Sequence, residues 1–275
     1  MSTGKVALIT GAANGLGWAL SQQYWQAGYH LFMVDLDQDG LEGRQQELVV
    51  SGRGDQTAIV CAIDLLQPDA IENIEKKVNQ HFDQLHVLIN NAGITHRSLA
   101  QKTHNDVVAK VMELDYLIPV KLTQQLLDTL QSSGNKKEPA TIINIGSMAG
   151  WLPVMARAGY CAAKSALHQY FETLRAETSH LPVDILMIYP SFLATDIEKN
   201  ALAGDGKPAR HARSTIGNIN SAEWMAEKIQ KAHLSGRHRL FPDKTIMLAS
   251  LLYRLLPGVY LKLMGRKFKS ELAHT

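Results

Sequence analysis

The stretch Lys5-Val-Ala-Leu-Ile-Thr10-Gly11-Ala12-Ala13-Asn14-Gly15-Leu16-Gly17 decides the fold. Its first half is a short β-branched and apolar run, which reads as a buried strand. Its second half places glycines where a strand turns into a helix, so the backbone can approach a pyrophosphate while the first helical N–H groups point at the negative charge. The spacing is Gly-x3-Gly-x-Gly rather than the common Gly-x-Gly-x-x-Gly. Beyond it, Leu16, Ala19, Leu20, Tyr24 and Ala27 recur at helical spacing, and Gly28 stands where a helix would stop. His30–Asp35 then reads as a second strand, completing a βαβ unit.

Working outward, apolar runs continue at Thr57–Ile63, His86–Asn90, Ala140–Gly146 and Val183–Tyr189, each separated by longer helical patterns. The alternation predicts an α/β fold with a parallel sheet covered on both faces. With 275 residues, 45% hydrophobic and 20% charged, the chain suits one α/β domain that needs no disulfide support. A net charge of +2 gives no argument for nucleic acid. The two cysteines, Cys61 and Cys161, sit in apolar surroundings and fit a reducing compartment. The start of the chain runs directly into strand pattern without a secretory signal, so the expected location is the cytoplasm. Histidines with metal-ligand spacing are missing from the sequence, and no metal is expected. The polar stretch Asn200–Thr215, with Gly204, Gly206 and Pro208, reads as a mobile loop, either a flap over a substrate or a surface excursion.

Asp35 closes the second strand eighteen positions after Gly17. In a dinucleotide-binding fold a carboxylate there holds both ribose hydroxyls of NAD and repels the extra phosphate of NADP. Leu36-Asp37-Gln38 supplies no cation, so NAD is expected over NADP. Ser147, Tyr160 and Lys164 carry the second chemical signal. Tyr160 and Lys164 lie four apart on a predicted helix and share a face. An ammonium beside a phenol is expected to pull its pKa from about 10 towards neutrality, which suits acid–base catalysis at an alcohol or carbonyl oxygen. Ser147 ends the fifth strand run and could bond the same oxygen.

With these residues in place, the chain from Lys5 to about Thr195 resembles the short-chain dehydrogenase/reductases in their single-domain form. The matching motifs are Thr10-Gly-Ala-Ala-Asn-Gly-Leu-Gly17, Asp64-Leu65, Asn90-Asn-Ala-Gly93, Ser147, Tyr160-Cys-Ala-Ala-Lys164, and Pro190 with Thr195. The resemblance implies a doubly wound Rossmann fold with seven parallel strands, the last near Arg237–Phe241. It implies a cofactor site of Gly11, Asn14, Gly15, Leu16, Gly17, Asp35, Asp64, Leu65, Asn91, Ala92, Gly93, Tyr160, Lys164, Pro190, Leu193 and Thr195. Within it Asp64 and Leu65 flank the adenine, Asn91 and Gly93 sit by the ribose, Pro190 to Thr195 embraces the nicotinamide, and Lys164 bonds its ribose. The expected assembly is a homodimer or homotetramer.

Two positions depart from the family pattern. An asparagine that completes a proton relay through water is replaced by Asp115, which keeps the backbone carbonyl but lacks the amide donor. Asp115 therefore joins Ser147, Tyr160 and Lys164 as a catalytic candidate with its relay role open. The usual Pro-Gly after the sixth strand is Pro190-Ser191, which narrows the backbone conformations available there.

The expected activity is hydride transfer between NAD and a hydrophobic secondary alcohol or ketone. Met148, Trp151, Met155 and Phe192 are expected to line an apolar substrate pocket, and His96 and Arg97 read as a solvated loop. An epimerase or dehydratase would use the same Tyr and Lys but usually carries a larger C-terminal domain, and a protein that only senses NAD would not need Ser147, Tyr160 and Lys164 together. The domain is expected over 1–245, with a substrate loop around 196–216. Residues 246–275 form an apolar and basic extension, interrupted by charges before it could span a bilayer and broken into two helices at Pro257-Gly258. It could lie on an anionic membrane, close over the substrate, or pack on another subunit.

Overall fold

A computed structural model describes residues 4–52, 54–195, 197, 200–209 and 219–268. The apolar runs become strands: β1 Val6–Thr10, β2 His30–Asp35, β3 Ala58–Ala62, β4 Val87–Asn90, β5 Ala140–Ile145 and β6 Val183–Ile188. Two-residue strands follow at Phe192–Leu193 (β7), Ile219–Asn220 (β8) and Arg239–Leu240 (β9). Seven of them form a parallel sheet in the order β3-β2-β1-β4-β5-β6-β9. β7 and β8 pair separately, a feature the sequence did not announce.

The strands read as unbroken hydrophobic runs because both faces of the sheet are buried. Side chains alternate between two cores at period two. Val6, Leu8, Phe32 and Val34 pack on one face with Ile74 and Val78 of α3 (Ala70–His81), Leu122 and Leu126 of α5 (Ile118–Ser133), and Phe171 of α6 (Ala158–Glu177). Ala7, Ile9, Leu31 and Met33 face the other way, against Leu20 and Tyr24 of α1 (Gly15–Gln26), Leu41 of α2 (Gln38–Ser51), and Met225 and Ile229 of α7 (Ala222–Leu234). Gly28 ends α1 as its sequence position suggests: its φ of 90° lies in the left-handed region that glycine tolerates.

Between β4 and β5 the chain forms α4 (Asn105–Met112), a five-residue π turn over Glu113–Leu117, and α5 without a break. After β9 come α8 (Lys244–Leu255) and α9 (Pro257–Lys267), divided where Pro257 cannot continue the hydrogen-bond ladder. No helix among the described residues is long and apolar enough to cross a membrane. The strand order reverses between β1 and β4, and the carboxyl ends of the strands open a crevice there.

Two loop expectations need correction. Residues 200–209 are not a free loop: Leu202 donates its N–H to the Thr95 carbonyl and accepts from Arg97, and Gly204 accepts from His104. The rest of that stretch, 210–215, lies outside the described residues. In consequence His96 and Arg97 are buried rather than solvated. His96 accepts the Gly159 N–H on Nε2 at 3.0 Å and meets the Ser98 hydroxyl through Nδ1.

Candidate active site

The crevice holds a cavity of about 520 Å³ that runs from the glycine turn to the C-terminal helices. At its first end, Gly11 and Gly15 take φ of 67° and 53°, the left-handed conformation that a side chain resists. Gly17 is required for a different reason: a Cβ there would fall 1.8 Å from the Gly11 carbonyl oxygen. It supports the turn without lining the cavity. Asn14 precedes α1 without capping it through its side chain, which leaves the first-turn amides open to an anion.

Hydrogen bonds lock this turn. Asn91 Nδ2 donates to the carbonyls of Thr10 and Gly11 at 2.9 and 3.2 Å, and Thr10 Oγ1 accepts from the N–H groups of Asn91 and Ala92. Asp35 uses one oxygen to accept the Ala13 N–H at 2.9 Å and the other to accept Asp37 N–H at 3.1 Å, so it braces the turn and caps its own strand end. Gly11, Asn14, Gly15, Leu16, Asp35, Asp64, Leu65, Asn91, Ala92 and Gly93 all border the cavity, as do Pro190, Leu193 and Thr195 farther along. This arrangement fits a dinucleotide: left-handed glycines, open helix amides and a strand-end carboxylate in one hollow. Arg44, which the sequence reading passed over, donates to the Ala13 carbonyl while bonded to Glu47 and stacked 4.7 Å from the Trp18 ring centroid.

Ser147, Tyr160 and Lys164 meet at the middle of the same cavity. Ser147 follows β5 and starts a short 3-10 turn, Met148–Gly150, by accepting the Ala149 N–H. Its hydroxyl is within reach of the Tyr160 phenol. Tyr160 and Lys164 project from one face of α6, with Lys164 Nζ 5.7 Å from the phenol ring centroid. Lys164 donates to the Ile145 carbonyl at 3.0 Å and pairs with Asp115 Oδ1 at 2.9 Å. The other Asp115 oxygen accepts the Ile94 N–H at 3.0 Å. Both charges are buried, so each requires the other.

The electrostatics differ from the sequence expectation. Burial pushes the Tyr160 phenol above its usual value, and Asp115 adds to that push. Lys164 pulls the other way, helped by Ser147 and Arg157, but does not prevail. The expected net drop towards neutrality came from counting Lys164 without the burial of the phenol, to which Asp115 adds. Opposing charge holds the Lys164 ammonium protonated, its pKa raised by Asp115 against the cost of burial.

Beyond the phenol the walls are apolar, from Ile94, Met148, Leu152, Val154 and Phe192 together with Ile246 and Ala249 of α8, Tyr260 of α9 and Phe268. Met148 and Phe192 line the cavity. Trp151 and Met155 do not reach the cavity. Trp151 is drawn into an aromatic group with His168, Tyr189 and Phe241, and Arg254 covers its ring at 4.4 Å. Arg157, missed in the sequence, borders the cavity and donates to Thr95 Oγ1 at 2.7 Å. The residue before it, Ala156, is held at φ 60°, strain of a kind that collects at functional sites and costs on the order of 1–3 kcal/mol. A lone arginine in the apolar run Met155-Ala-Arg-Ala158 was the available signal.

Comparison with known proteins agrees with this geometry. The sequence profile described as short chain dehydrogenase matches residues 5–206. The chain is 32% identical to the Dehydrogenase/reductase SDR family member 7B of Bos taurus, over 97% of this chain and 82% of that one. It is 29% identical to the Dehydrogenase/reductase SDR family protein 7-like of Drosophila melanogaster, covering 96% and 80%. In fold it is similar to a short-chain dehydrogenase/reductase from Burkholderia phymatum in complex with NAD, with TM-score 0.80, 21% identity and coverage of 94% and 95%. A short-chain dehydrogenase from Sphingobium yanoikuyae in complex with NADPH gives TM-score 0.75, 19% identity and 95% of both chains. From the glycine turn through the Tyr160 and Lys164 pair, and with a family match over most of its length, the chain belongs to the short-chain dehydrogenase/reductase family of oxidoreductases.

Proposed function

We propose that this protein interconverts a hydrophobic secondary alcohol and its ketone with an NAD cofactor. The observation that carries the proposal is a single cavity bordered at one end by the glycine turn and Asp35, and at its middle by Ser147, Tyr160 and Lys164. A bound nicotinamide supplies or removes the hydride. The protein's residues manage the proton and the charge. Tyr160 gives its phenolic proton to the substrate oxygen in reduction and takes it back in oxidation. Ser147 donates a hydrogen bond to that oxygen as negative charge develops on it. Lys164 holds a fixed positive charge beside the phenol and keeps a donor for a ribose hydroxyl.

The preference for NAD rests on Asp35. Its carboxylate lies at the cavity wall, where it would accept from ribose hydroxyls and repel a 2′-phosphate by about 1–4 kcal/mol at surface-like screening. The preference for an apolar substrate rests on the side chains beyond Tyr160. We assign the catalytic domain to 1–245 and treat 246–275 as an extension whose described part, 246–268, closes the substrate end. We expect a cytoplasmic homodimer or homotetramer, in keeping with the free thiols Cys61 and Cys161; light scattering gives the subunit number.

The deciding test is Tyr160→Phe. Turnover, followed by nicotinamide absorbance across a panel of secondary alcohols and ketones with NAD and NADP in parallel, should fall at least a thousandfold, while the Kd for NAD stays within a few-fold. A variant that keeps wild-type turnover would remove Tyr160 from the chemistry.

A further inference from the structure

The outer face of α8 and α9 is unlike the remaining surface. Of the thirteen large hydrophobic side chains exposed among the described residues, eight lie here: Met247, Leu248, Leu251 and Leu255 on α8, Leu256 at the junction, and Val259, Leu261 and Leu263 on α9. On α8 the first four follow helical spacing and form one stripe. On α9, Val259 and Leu263 are four apart, with Lys262, Arg266 and Lys267 around them. Between residues 244 and 268 the sequence has five basic residues, Lys244, Arg254, Lys262, Arg266 and Lys267, and no acidic one. All five are exposed. The inner face of the same helices supplies Ile246, Ala249 and Tyr260 to the cavity wall, and Tyr260 is tied to the body by donating to the Pro153 carbonyl at 3.0 Å.

An apolar patch of this kind on a soluble surface calls for an occupant. A second copy seated on it would bring two sets of like charges together, whereas anionic headgroups would neutralise them. With 12 and 11 residues the helices are too short to span a bilayer but can lie in its interface. We propose that α8 and α9 dock with their outer face on an anionic lipid surface, which sets the apolar wall of the cavity beside a reservoir of lipid-soluble substrate. The second half of this statement rests on the proposed function; the docking does not.

The test is sedimentation of the full chain with vesicles of phosphatidylcholine alone or with about a third phosphatidylserine. The protein should pellet with the anionic vesicles, and should be released by high salt as screening shortens. Leu251→Asp with Leu255→Asp, and separately Lys262→Glu with Arg266→Glu, should each weaken binding at least tenfold with Tm little changed, since all four sites are exposed. Protein left in the supernatant of both vesicle types overturns the proposal. So does a wild-type oligomer, seen by light scattering without lipid, that Leu251→Asp with Leu255→Asp splits, because the patch then belongs to a second copy. Binding is read without turnover, so failure of the enzymatic reading leaves this result standing.

A second inference stands on the buried ion pair. Asp115 is carried into the site by the π turn, an irregularity often found at functional positions. The space for it is made by Gly93, where a Cβ would lie 2.6 Å from Asp115 Oδ1. The charged and titratable groups facing the phenol are Lys164 from α6, Arg157 from the approach to α6 and Asp115 from the π turn, with the Ser147 hydroxyl from the end of β5. On the proposed reaction, we infer that Asp115, locked 2.9 Å from the Lys164 ammonium, offsets part of its field at the phenol and so helps the buried site keep Tyr160 a proton donor at neutral pH, favouring ketone reduction. In that direction the carbonyl carbon gains the hydride of the reduced nicotinamide and the carbonyl oxygen gains the Tyr160 proton. The phenolate left behind is reprotonated from water.

Asp115→Asn keeps the shape and removes the charge. Without the carboxylate the phenolate is favoured, so the acidic limb of the pH profile for alcohol oxidation should move to lower pH, by about one unit. The ratio of oxidation to reduction at pH 7 should rise accordingly. A purely structural role would lower activity without moving the limb. A limb that stays, or moves to higher pH, overturns the inference. Where Asp115→Asn does not fold, Gly93→Ala displaces the carboxylate from Lys164 and should shift the limb in the same direction.

Discussion

The two ends of the cavity are built by opposite means. At the glycine turn, the wall is backbone, fixed by the carboxyl ends of β1, β2 and β4 and bonded to Asn91, Thr10 and Asp35 over distances of about 3 Å. At the far end, the wall is side chains on α8 and α9, held to the body among the described residues by Tyr260 donating to the Pro153 carbonyl and the Ser191 hydroxyl donating to Asp243. The first end suits the phosphates and ribose of a dinucleotide, which call for accurately placed donors and acceptors. The second need only be apolar and closed, so residue identity there is loosely constrained.

The contrast can be broken from the middle outwards. Lys164→Met leaves Asp115 buried without its partner and should cost about 3–5 kcal/mol in urea unfolding at pH 7. That loss should shrink as pH falls, because protonating Asp115 removes the uncompensated charge. Gly17→Ala drives a Cβ into the Gly11 carbonyl, and backbone cannot yield as a flexible side chain can. Destabilisation of about 1–3 kcal/mol and a tenfold or greater rise in the Kd for NAD are expected, checked by calorimetry. Asp35→Ser should narrow the ratio of kcat/KM with NAD to that with NADP by about tenfold or more, read in parallel assays. The smallest effect is expected at the far end: Tyr260→Phe removes one hydrogen bond worth about 1 kcal/mol, raising substrate KM a few-fold with the Kd for NAD untouched. A Tyr260→Phe variant that lost NAD binding would show the two ends to be coupled.

The same contrast explains what could be read from the chain. Strands β1 to β6 were legible because burial on both faces leaves apolar runs with little alternation, and the glycine turn because its backbone demands survive as residue identity. The Tyr160 and Lys164 pair was legible because one helical turn joins them. What escaped depends on contacts far apart in the chain. Asp115 and Lys164 are separated by almost fifty residues, and neither that pairing nor the burial of the phenol, which outweighs Lys164, could be read from the spacing of Tyr160 and Lys164. Arg157 gains its place through Thr95, and His96 is buried because residues 200–209 fold across it. Trp151 has the composition of a pocket wall, but an aromatic group assembled from α6 and the residues just after β6 and β9 claims it.

An ammonium has three N–H bonds to give. Lys164 gives one to the Ile145 carbonyl and sets its charge against Asp115, so the ammonium is already engaged on two sides. That arithmetic makes arginine a poor replacement despite equal charge, since its flat fork cannot divide itself among a carbonyl, a carboxylate and a hydroxyl set in three directions. A molecule seated in the cavity is therefore met by only part of this ammonium, and the rest of its aim must come from the opposite bank.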